Sequence, residues 1–307
     1  MPELPEVETI RRGLDPQVRG LVIADAVTGL HRGFLFDYSK FRTTIKGQVI
    51  LGLSRRGKYL VFELETHYCI FHLGMTGQLT LRDPQKEDVP FERHPITGLQ
   101  KTSQHAVDKH THLQFLLETG SLIFFRDVRK FGKVVLLRRE EGALDVFFRH
   151  LGLEPFSSDY DLGEFLSLMR DRKSRIKSWL LDQRFVAGVG NIYADEALFE
   201  AGVHPSRRVN QLRLYEKHSL FDAIPLVLER GIRFGGTSIR DFVNSGGETG
   251  GHQEKLKVYG RNGQPCHACE AILEKTVVSQ RGSHYCPVCQ PRNGPRRVRS
   301  NRESAAH

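Results

Sequence analysis

The chain has 307 residues, of which 39% are hydrophobic and 26% charged, and its formal net charge is +9. That length favours two domains over one and can bury a core without disulfides. No apolar run approaches the roughly 20 residues of a membrane-spanning helix, and the early glutamates argue against a secretory signal. The basic excess is compatible with a polyanionic partner.

The N-terminal part of the chain predicts a leading helix followed by a β-sandwich or barrel. Residues 2–14 carry apolar side chains at helical spacing, with prolines suited to a first turn. From residue 20 onward, short β-rich runs alternate with turn residues, as in all-β domains. These runs are 22–23, 49–51, 59–62, 69–71, 113–116, 122–125 and 134–137. The polar residues 83–111 predict a long exposed loop.

The second half of the chain predicts a helical domain. Apolar side chains recur at three- and four-residue steps in six stretches, namely 140–151, 161–170, 173–183, 192–201, 210–217 and 219–234. Residues 241–264 are rich in glycine and polar groups, which predicts a mobile segment. The tail 291–307 has five arginines and no core-forming pattern, which predicts a disordered basic extension.

Four of the five cysteines form two close pairs near the C-terminus. Cys266 and Cys269 are followed, after 16 residues, by Cys286 and Cys289, which is the spacing of a four-thiolate zinc ribbon. A protein that is not exported keeps its thiols reduced, so the pattern favours a metal over disulfides. Four protein ligands leave no open position, and the predicted zinc ion is therefore structural. The two strands between the pairs predict a hairpin with its turn at 280–283.

Motifs along nearly the whole chain resemble those of the formamidopyrimidine-DNA glycosylases, a family of base-excision repair enzymes. They occur in family order: MPELPEVETI at 1–10, RRGKYL at 55–60, HLGMTGQL at 72–79, VRKFGKV at 128–134, GVGNIYADEALF at 188–199, GGTSIRDFV at 235–243, VYGR at 258–261 and the cysteine pairs. The resemblance implies an α+β multidomain fold. Its parts are an N-terminal catalytic β-sandwich with a leading helix (1–137), a helical DNA-binding domain with a helix-two turns-helix motif (138–250), a zinc-finger DNA-binding hairpin (251–290) and a basic disordered tail (291–307).

The resemblance assigns the chemistry to the N-terminus. Removal of Met1 would leave Pro2 with a free secondary amine that attacks C1′ of a damaged nucleotide and expels the base. The resulting iminium would drive elimination of both flanking phosphates. Glu3 is expected to act as the general acid and base, Glu6 to support the site, and Lys58 to reach the phosphate. On their local sequence alone, Pro2 and Glu3 are typical of a helix start and Lys58 of a solvated strand edge.

Three residues match the family's set that fills the gap left by an everted base. Flipping a nucleotide costs a few kcal/mol, and apolar wedges with arginine contacts offset that cost. By resemblance, Phe131 wedges into the stack and Met75 occupies the vacated space. Arg129 is expected to hydrogen-bond the orphaned cytosine, whose O2 and N3 accept from a guanidinium.

Four further residues are expected to contact the DNA backbone. Asn191 and Arg281 resemble the family pair that holds the phosphates of the lesion, and a glycine-rich turn before a helix favours anions. His72 and Tyr259 are predicted as additional backbone contacts. The segment 235–259 corresponds to the one that covers the flipped base.

Some positions depart from the family pattern. Val128 stands where proline is common, Lys130 where arginine is common and Gln183 where asparagine is frequent. Gly250-Gly251-His252 replaces a usual Gly-Tyr-Phe in the capping segment, which bears on substrate preference rather than on the chemistry. The loop at 83–111 is also longer than the family implies.

Together these features predict a bifunctional DNA glycosylase and lyase for oxidised purines, 8-oxoguanine and formamidopyrimidines, opposite cytosine. We expect a monomer with one structural Zn²⁺ ion, acting on double-stranded DNA with oxidised bases or abasic sites and on no membrane. Its expected location is the bacterial cytoplasm, on the nucleoid. The alternatives are an endonuclease VIII-like glycosylase for oxidised pyrimidines and a non-catalytic zinc-ribbon DNA-binding protein. The MPELPEVE motif and the set of Met75, Arg129 and Phe131 argue against the first. Pro2, Glu3 and Lys58 together argue against the second.

Overall fold

The computed structural model describes residues 1–29, 33–82, 108–239 and 242–294. The helices in this part of the chain are α1 Leu4–Val18, α2 Tyr38–Ile45, α3 Ala143–Phe148, α4 Leu162–Met169, α5 Ile176–Leu181, α6 Asn191–Glu200 and α7 Leu214–Arg233. The strands are β1 Ile23–Thr28, β2 Phe34–Leu35, β3 Ile50–Arg56, β4 Tyr59–Leu64, β5 His67–His72, β6 Gly77–Arg82, β7 Thr111–Leu117, β8 Leu122–Asp127, β9 Lys133–Arg138, β10 Glu274–Val278 and β11 Arg281–Tyr285. Most of the predicted 83–111 loop and residues 295–307 of the predicted tail lie outside the described residues.

Two sheets form the predicted β-sandwich. One has the strand order β2-β9-β5-β4-β3 and the other the order β1-β7-β8-β6. Phe62 and Phe71 from the first sheet meet Phe115 from the second, with ring centroids 6.1 and 6.4 Å apart. Helix α1 packs its buried apolar side chains into the same core. The sequence missed β2, α2 and β6, which are short or carry few β-branched side chains.

A second hydrophobic core lies among the helices. Trp179, Tyr193 and Phe165 are fully buried there, between α4, α5, α6 and α7. The prediction of separate helices at 210–217 and 219–234 is wrong, because α7 runs without interruption through that boundary, where no glycine or proline occurs. No helix within the described ranges is both long and apolar enough to span a bilayer.

Helix α7 continues through an internal proline. Pro225 has no backbone N–H to donate to the carbonyl of Phe221, which would leave that oxygen without its helical partner. The hydroxyl of Tyr160 donates to this carbonyl over 3.0 Å instead. A side chain from outside the helix therefore supplies the hydrogen bond that proline removes.

A buried ion-pair network joins the sandwich to the helical region. Arg55 on β3 contacts Glu8 of α1 at 3.1 Å and Glu154, which precedes α4, at 2.7 Å. Glu154 also contacts Arg56 at 2.8 Å and accepts from the backbone N–H of Gly57 at 2.8 Å. The tip of the β3–β4 hairpin is thereby fixed against both regions.

The C-terminal hairpin pairs β10 with β11 from Glu274–Tyr285 to Val278–Arg281. Its turn is Ser279-Gln280, with φ of 48° and 62°, as a two-residue turn between twisted strands requires. The predicted turn at 280–283 therefore begins one residue and ends three residues too late, and Arg281 is the first residue of β11.

Candidate active site and nucleic-acid interface

The start of α1 meets the start of α6. The carboxylate of Glu3 accepts the backbone N–H of Ile192 at 3.0 Å and that of Tyr193 at 3.4 Å. These are among the N–H groups that a helix start leaves unpaired, at the positive end of its dipole. The N–H of Leu4 donates to the carbonyl of Gly188 at 3.0 Å. Glu3, beside Pro2, is therefore held in one position by a second helix.

The GVGN turn before α6 permits this close approach. A Cβ on Gly190 would lie only 2.3 Å from Cδ of Glu3, so any side chain there would displace the carboxylate. Gln183 fixes the turn, accepting from the N–H of Gly188 at 2.9 Å and donating to the carbonyl of Val189 at 2.8 Å. The departure from asparagine at position 183 thus keeps the turn in place.

Glu6 is buried one helical turn beyond Glu3. Its carboxylate accepts from the backbone N–H of Glu3 at 2.8 Å, the N–H of Thr237 at 2.7 Å and the hydroxyl of Tyr193 at 2.8 Å. Burial, and secondarily the charge of Glu3, raise the pKa of Glu6 to about 7. This carboxyl group therefore exchanges its proton near neutral pH.

Lys58 lies in the two-residue turn between β3 and β4 and is only 6% exposed. Burial lowers the pKa of its ammonium group, while the charges of Glu3 and Glu6 raise it and that of Arg281 lowers it. Pro2 is buried and Met1 before it is exposed. The four predicted catalytic residues are thus brought together where α1, α6 and this hairpin meet.

His72 ends β5 near Lys58. Its Nδ1 accepts the backbone N–H of Gly74 at 3.2 Å, which leaves Nε2 as the proton-bearing nitrogen. Burial, and then the charges of Lys58 and Lys133, lower the pKa of His72 to about 4. At neutral pH the residue is an uncharged donor.

The predicted gap-filling residues form one exposed cluster. Arg129 donates to Sδ of Met75 at 3.3 Å, and its guanidinium lies 4.7 Å from the ring centroid of Phe131. Met75 is 37% and Phe131 53% exposed, although side chains of this kind are usually buried. The cluster presents apolar surface around a single cation.

Asp127, which the sequence analysis missed, organises the two loops that carry this cluster. Its carboxylate accepts the hydroxyl of Thr76 and the backbone N–H groups of Arg129, at 3.2 Å, and Gly132, at 2.7 Å. Asp127 is fully buried at the end of a strand. That burial would have indicated its role, but burial cannot be read from one sequence.

Asn191 and Tyr259 lie side by side at the start of α6. The amide Nδ2 donates to the Tyr259 hydroxyl at 3.5 Å, and the buried Oδ1 finds no hydrogen-bond partner within the described part of the chain. Glu196 holds the neighbouring backbone, accepting the N–H groups of Lys257, Val258 and Tyr259, each at 2.9 Å. The segment predicted to be mobile is firmly attached at this end.

The position of Arg281 is fixed by a second group of residues that the sequence did not predict. Lys177 on α5 is fully buried, pairs with Asp195 on α6 at 2.6 Å and donates to the carbonyl of Gly282 at 2.8 Å. Asp195 also accepts the backbone N–H of His284 at 2.8 Å. Two helices therefore grip the strand that begins with Arg281.

The four cysteines converge as a metal site. Their Sγ atoms all lie within 4.8 Å of one another, with Cys266 to Cys289 at 3.9 Å and Cys269 to Cys286 at 3.4 Å. Zn–S bonds of about 2.3 Å in a tetrahedron need sulfurs a little under 4 Å apart. The site thus fits zinc in size, ligand type and ligand number.

Family models match three parts of the chain. Residues 1–134 match the formamidopyrimidine-DNA glycosylase N-terminal domain, residues 151–243 the H2TH domain of the same enzymes, and residues 263–292 a zinc finger found in FPG and IleRS. This chain belongs to the formamidopyrimidine-DNA glycosylase family. It is accordingly a base-excision DNA glycosylase and lyase, and its four cysteines hold one structural zinc ion.

Individual family members resemble the chain over almost its whole length. The formamidopyrimidine-DNA glycosylase of Shouchella clausii is 43% identical over 95% of this chain and all of its own, and that of Heliobacterium modesticaldum 40% over 94% and all of its own. Among solved structures, a point mutant of the Lactococcus lactis FPG bound to Fapy-dG containing DNA is 37% identical, with a TM-score of 0.82, and covers 94% of this chain and all of the other. The L. lactis Fpg complex with abasic-site DNA has the same TM-score at 36% identity, over 94% of this chain and 99% of its own.

Proposed function

We propose that Pro2, freed by removal of Met1, is the nucleophile with which this glycosylase removes oxidised purines from double-stranded DNA. The observation that carries the proposal is the position of Glu3. Its carboxylate, next in sequence to Pro2, is fixed by two N–H groups of α6, and its charge acts on buried Lys58. The proposed nucleophile, acid/base and cation thus lie together at the start of α1.

The chemistry then follows from these groups. The neutral amine of Pro2 forms a bond to C1′ as the glycosidic bond breaks, and the base leaves with the bonding electrons. The nitrogen loses its proton and the departing base takes one up, so the two transfers balance. Glu3 protonates the ring oxygen, so that the sugar opens as an iminium of Pro2. Loss of a C2′ proton expels the 3′ phosphate, and a second elimination expels the 5′ phosphate.

The interface supports duplex DNA with an everted nucleotide as the substrate. The exposed cluster of Met75, Arg129 and Phe131 suits the gap left by the flipped base. The Nδ2 donor group of Asn191 and the guanidinium of Arg281 suit the phosphates flanking it. The complexes of L. lactis Fpg with Fapy-dG and abasic-site DNA agree with this substrate class.

The domain boundaries 1–137, 138–250 and 251–290 remain part of this proposal, as does action by a monomer. The relatives are bacterial, which supports a place in the bacterial cytoplasm, with DNA binding keeping the enzyme on the nucleoid.

Borohydride trapping tests the nucleophile directly. Reduction during reaction with an 8-oxoguanine duplex should attach the protein to DNA, and mass spectrometry should locate the adduct on Pro2. Pro2→Glu, whose bulk retains Met1, should give no adduct. Glu141→Gln, which changes an exposed carboxylate far along the chain from the site, is the control and should trap normally. An adduct on Lys58, or mature active protein that retains Met1, would contradict the proposal.

Parallel assays on oxidised pyrimidines test the lesion class.

A further inference from the structure

A buried hydrogen-bond chain leads from Glu6 to a residue outside the site described above. Tyr193 Oη donates to Glu6 Oε1 at 2.8 Å and lies 3.0 Å from Thr237 Oγ1. Thr237 Oγ1 in turn lies 2.9 Å from Nδ1 of His252. None of the four side chains is more than 4% exposed. The imidazole stacks on the Tyr193 ring, with centroids 5.5 Å apart.

The protonation state of Glu6 determines which atom is the donor in each of these hydrogen bonds. Each hydroxyl has one proton to donate. When Glu6 is ionised, Tyr193 donates to it, Thr237 must donate to Tyr193, and His252 must donate from Nδ1. When Oε1 of Glu6 carries a proton, every donor reverses, and Nδ1 of His252 must accept. In that state the imidazole proton is on Nε2.

We propose that His252 is a positioning residue whose imidazole tautomer follows the protonation of Glu6 through Thr237 and Tyr193. In either direction, each of the three hydrogen bonds has one donor and one acceptor. A mixed direction would leave two lone pairs or two protons facing each other. His252 thereby orients the hydroxyl that Tyr193 presents to Glu6. The inference rests on the proposed function only in placing Glu6 beside the reacting atoms.

The surrounding charges keep these two groups titrating in different ranges. Glu3 and Lys58 are the charged groups that act on Glu6, whose pKa is about 7. Burial, with a smaller effect of Arg230 on α7, lowers the pKa of His252 to about 4. His252 is therefore uncharged in the neutral pH range where Glu6 titrates, and only its tautomer can change there.

The histidine end of this hydrogen-bond chain lies at the departure from the family pattern noted above. The family pattern usually has phenylalanine at the position of His252. A phenyl ring can stack on Tyr193 but cannot donate to Thr237 or accept from it. The departure in the capping segment thus introduces a polar group at a buried position, where an unpaired one would be costly.

Nitrogen NMR of the full-length protein without DNA, labelled with ¹⁵N-histidine, tests the proposal across this neutral pH range. His252, assigned by loss of its signal in His252→Phe, should change from the Nε2–H to the Nδ1–H tautomer as the pH rises. Its midpoint should coincide with that of the Glu6 carboxyl carbon. His204 is the matched control, because its pKa is also about 4 and its Nδ1 accepts the Ser206 N–H at 3.1 Å. Its tautomer should stay constant.

Variants of Thr237 distinguish an effect of the hydrogen-bond chain from an effect of packing alone. Thr237→Val should abolish the tautomer change and raise the Glu6 midpoint by a few tenths of a pH unit, because the carboxylate loses cooperative donation. Thr237→Ser should restore both. The pH profile of kcat should move with the Glu6 midpoint, while KM stays constant. A His252 tautomer that is constant with pH, or that still switches in Thr237→Val, would overturn the proposal. Borohydride trapping would be unaffected by that failure, so the two proposals fail separately.

Discussion

Single buried carboxylates hold the backbone around the candidate site. Asp127 accepts two backbone N–H groups and a hydroxyl at the base of the exposed cluster of Met75, Arg129 and Phe131. Glu196 accepts three consecutive backbone N–H groups beside Tyr259. Each carboxylate fixes the course of a loop rather than contacting DNA, because its oxygens are already occupied. Their contribution to function is the precision with which neighbouring side chains are presented.

We expect Asp127→Asn to loosen the loop that carries Arg129 and Phe131. The new amide group brings a donor to a position where the wild-type carboxylate only accepts, so at least one N–H loses its partner. Unfolding free energy should fall by about 2–3 kcal/mol, and KM for lesion DNA should rise about tenfold. Denaturant unfolding and steady-state cleavage measure the two effects. Thr76→Ser, which keeps the hydroxyl, should change neither, and an unaltered KM in Asp127→Asn would refute this role.

At the scale of elements, periodic patterns in the sequence predicted individual helices and strands. They did not predict contacts between segments that are distant in the sequence. The helical spacing in residues 2–14 and the β-rich runs of the sandwich correspond to α1 and to seven of the strands. The Lys177 contact with Gly282 spans 105 residues and the Thr76 contact with Asp127 spans 51. No local pattern encodes which distant segments meet. The zinc ligands were predictable because their spacing itself reflects the geometry of the metal.

Lys177 should matter to the hairpin as well as to the helices. Lys177→Met removes the cation that pairs with buried Asp195 and the donor to Gly282, and leaves a charge without its partner. Breaking such a pair costs about 3–5 kcal/mol, and Arg281 should lose its fixed position. We expect lower thermal stability and weaker DNA binding with normal zinc content. Lys275→Met, on the exposed face of β10, is the control; equal effects in both variants would argue against this role.

At the scale of the molecule, a network of arginines and glutamates connects the two large cores. Three arginines lower the pKa of Glu8 to about 2, although burial opposes them. A carboxyl group with a lowered pKa stabilises the fold above its unfolded pKa of about 4.5, and this contribution is lost as the pH falls toward 2. Glu8→Gln should therefore be less stable than wild type at neutral pH, and the difference should narrow as the pH falls below that unfolded value. Thermal unfolding across this range measures it, and a difference independent of pH would contradict it.

Zinc removal should affect one end of the molecule first. The apolar cluster under the hairpin is small, with only Phe199, Val258 and Leu273 buried beside two of the cysteines among the described residues, so the metal supplies much of its folding energy. A strong chelator, or Cys286→Ala, should abolish lesion cleavage while the sandwich unfolds at its usual temperature. Cys69→Ala, in the sandwich core, should retain one zinc per chain by elemental analysis. Full cleavage by zinc-free protein would contradict this expectation.

The exposed Met75 and Phe131 side chains also have a thermodynamic consequence. In the proposed complex these side chains enter the base stack and release the water in contact with them, and dehydration of apolar surface lowers the heat capacity. The enthalpy of binding a duplex that opens should then become more exothermic with rising temperature, more steeply than for a duplex that stays closed. In the free enzyme these two apolar side chains are exposed to water. In the proposed complex, a duplex that opens easily at a weakened base pair would bury them at the lowest cost.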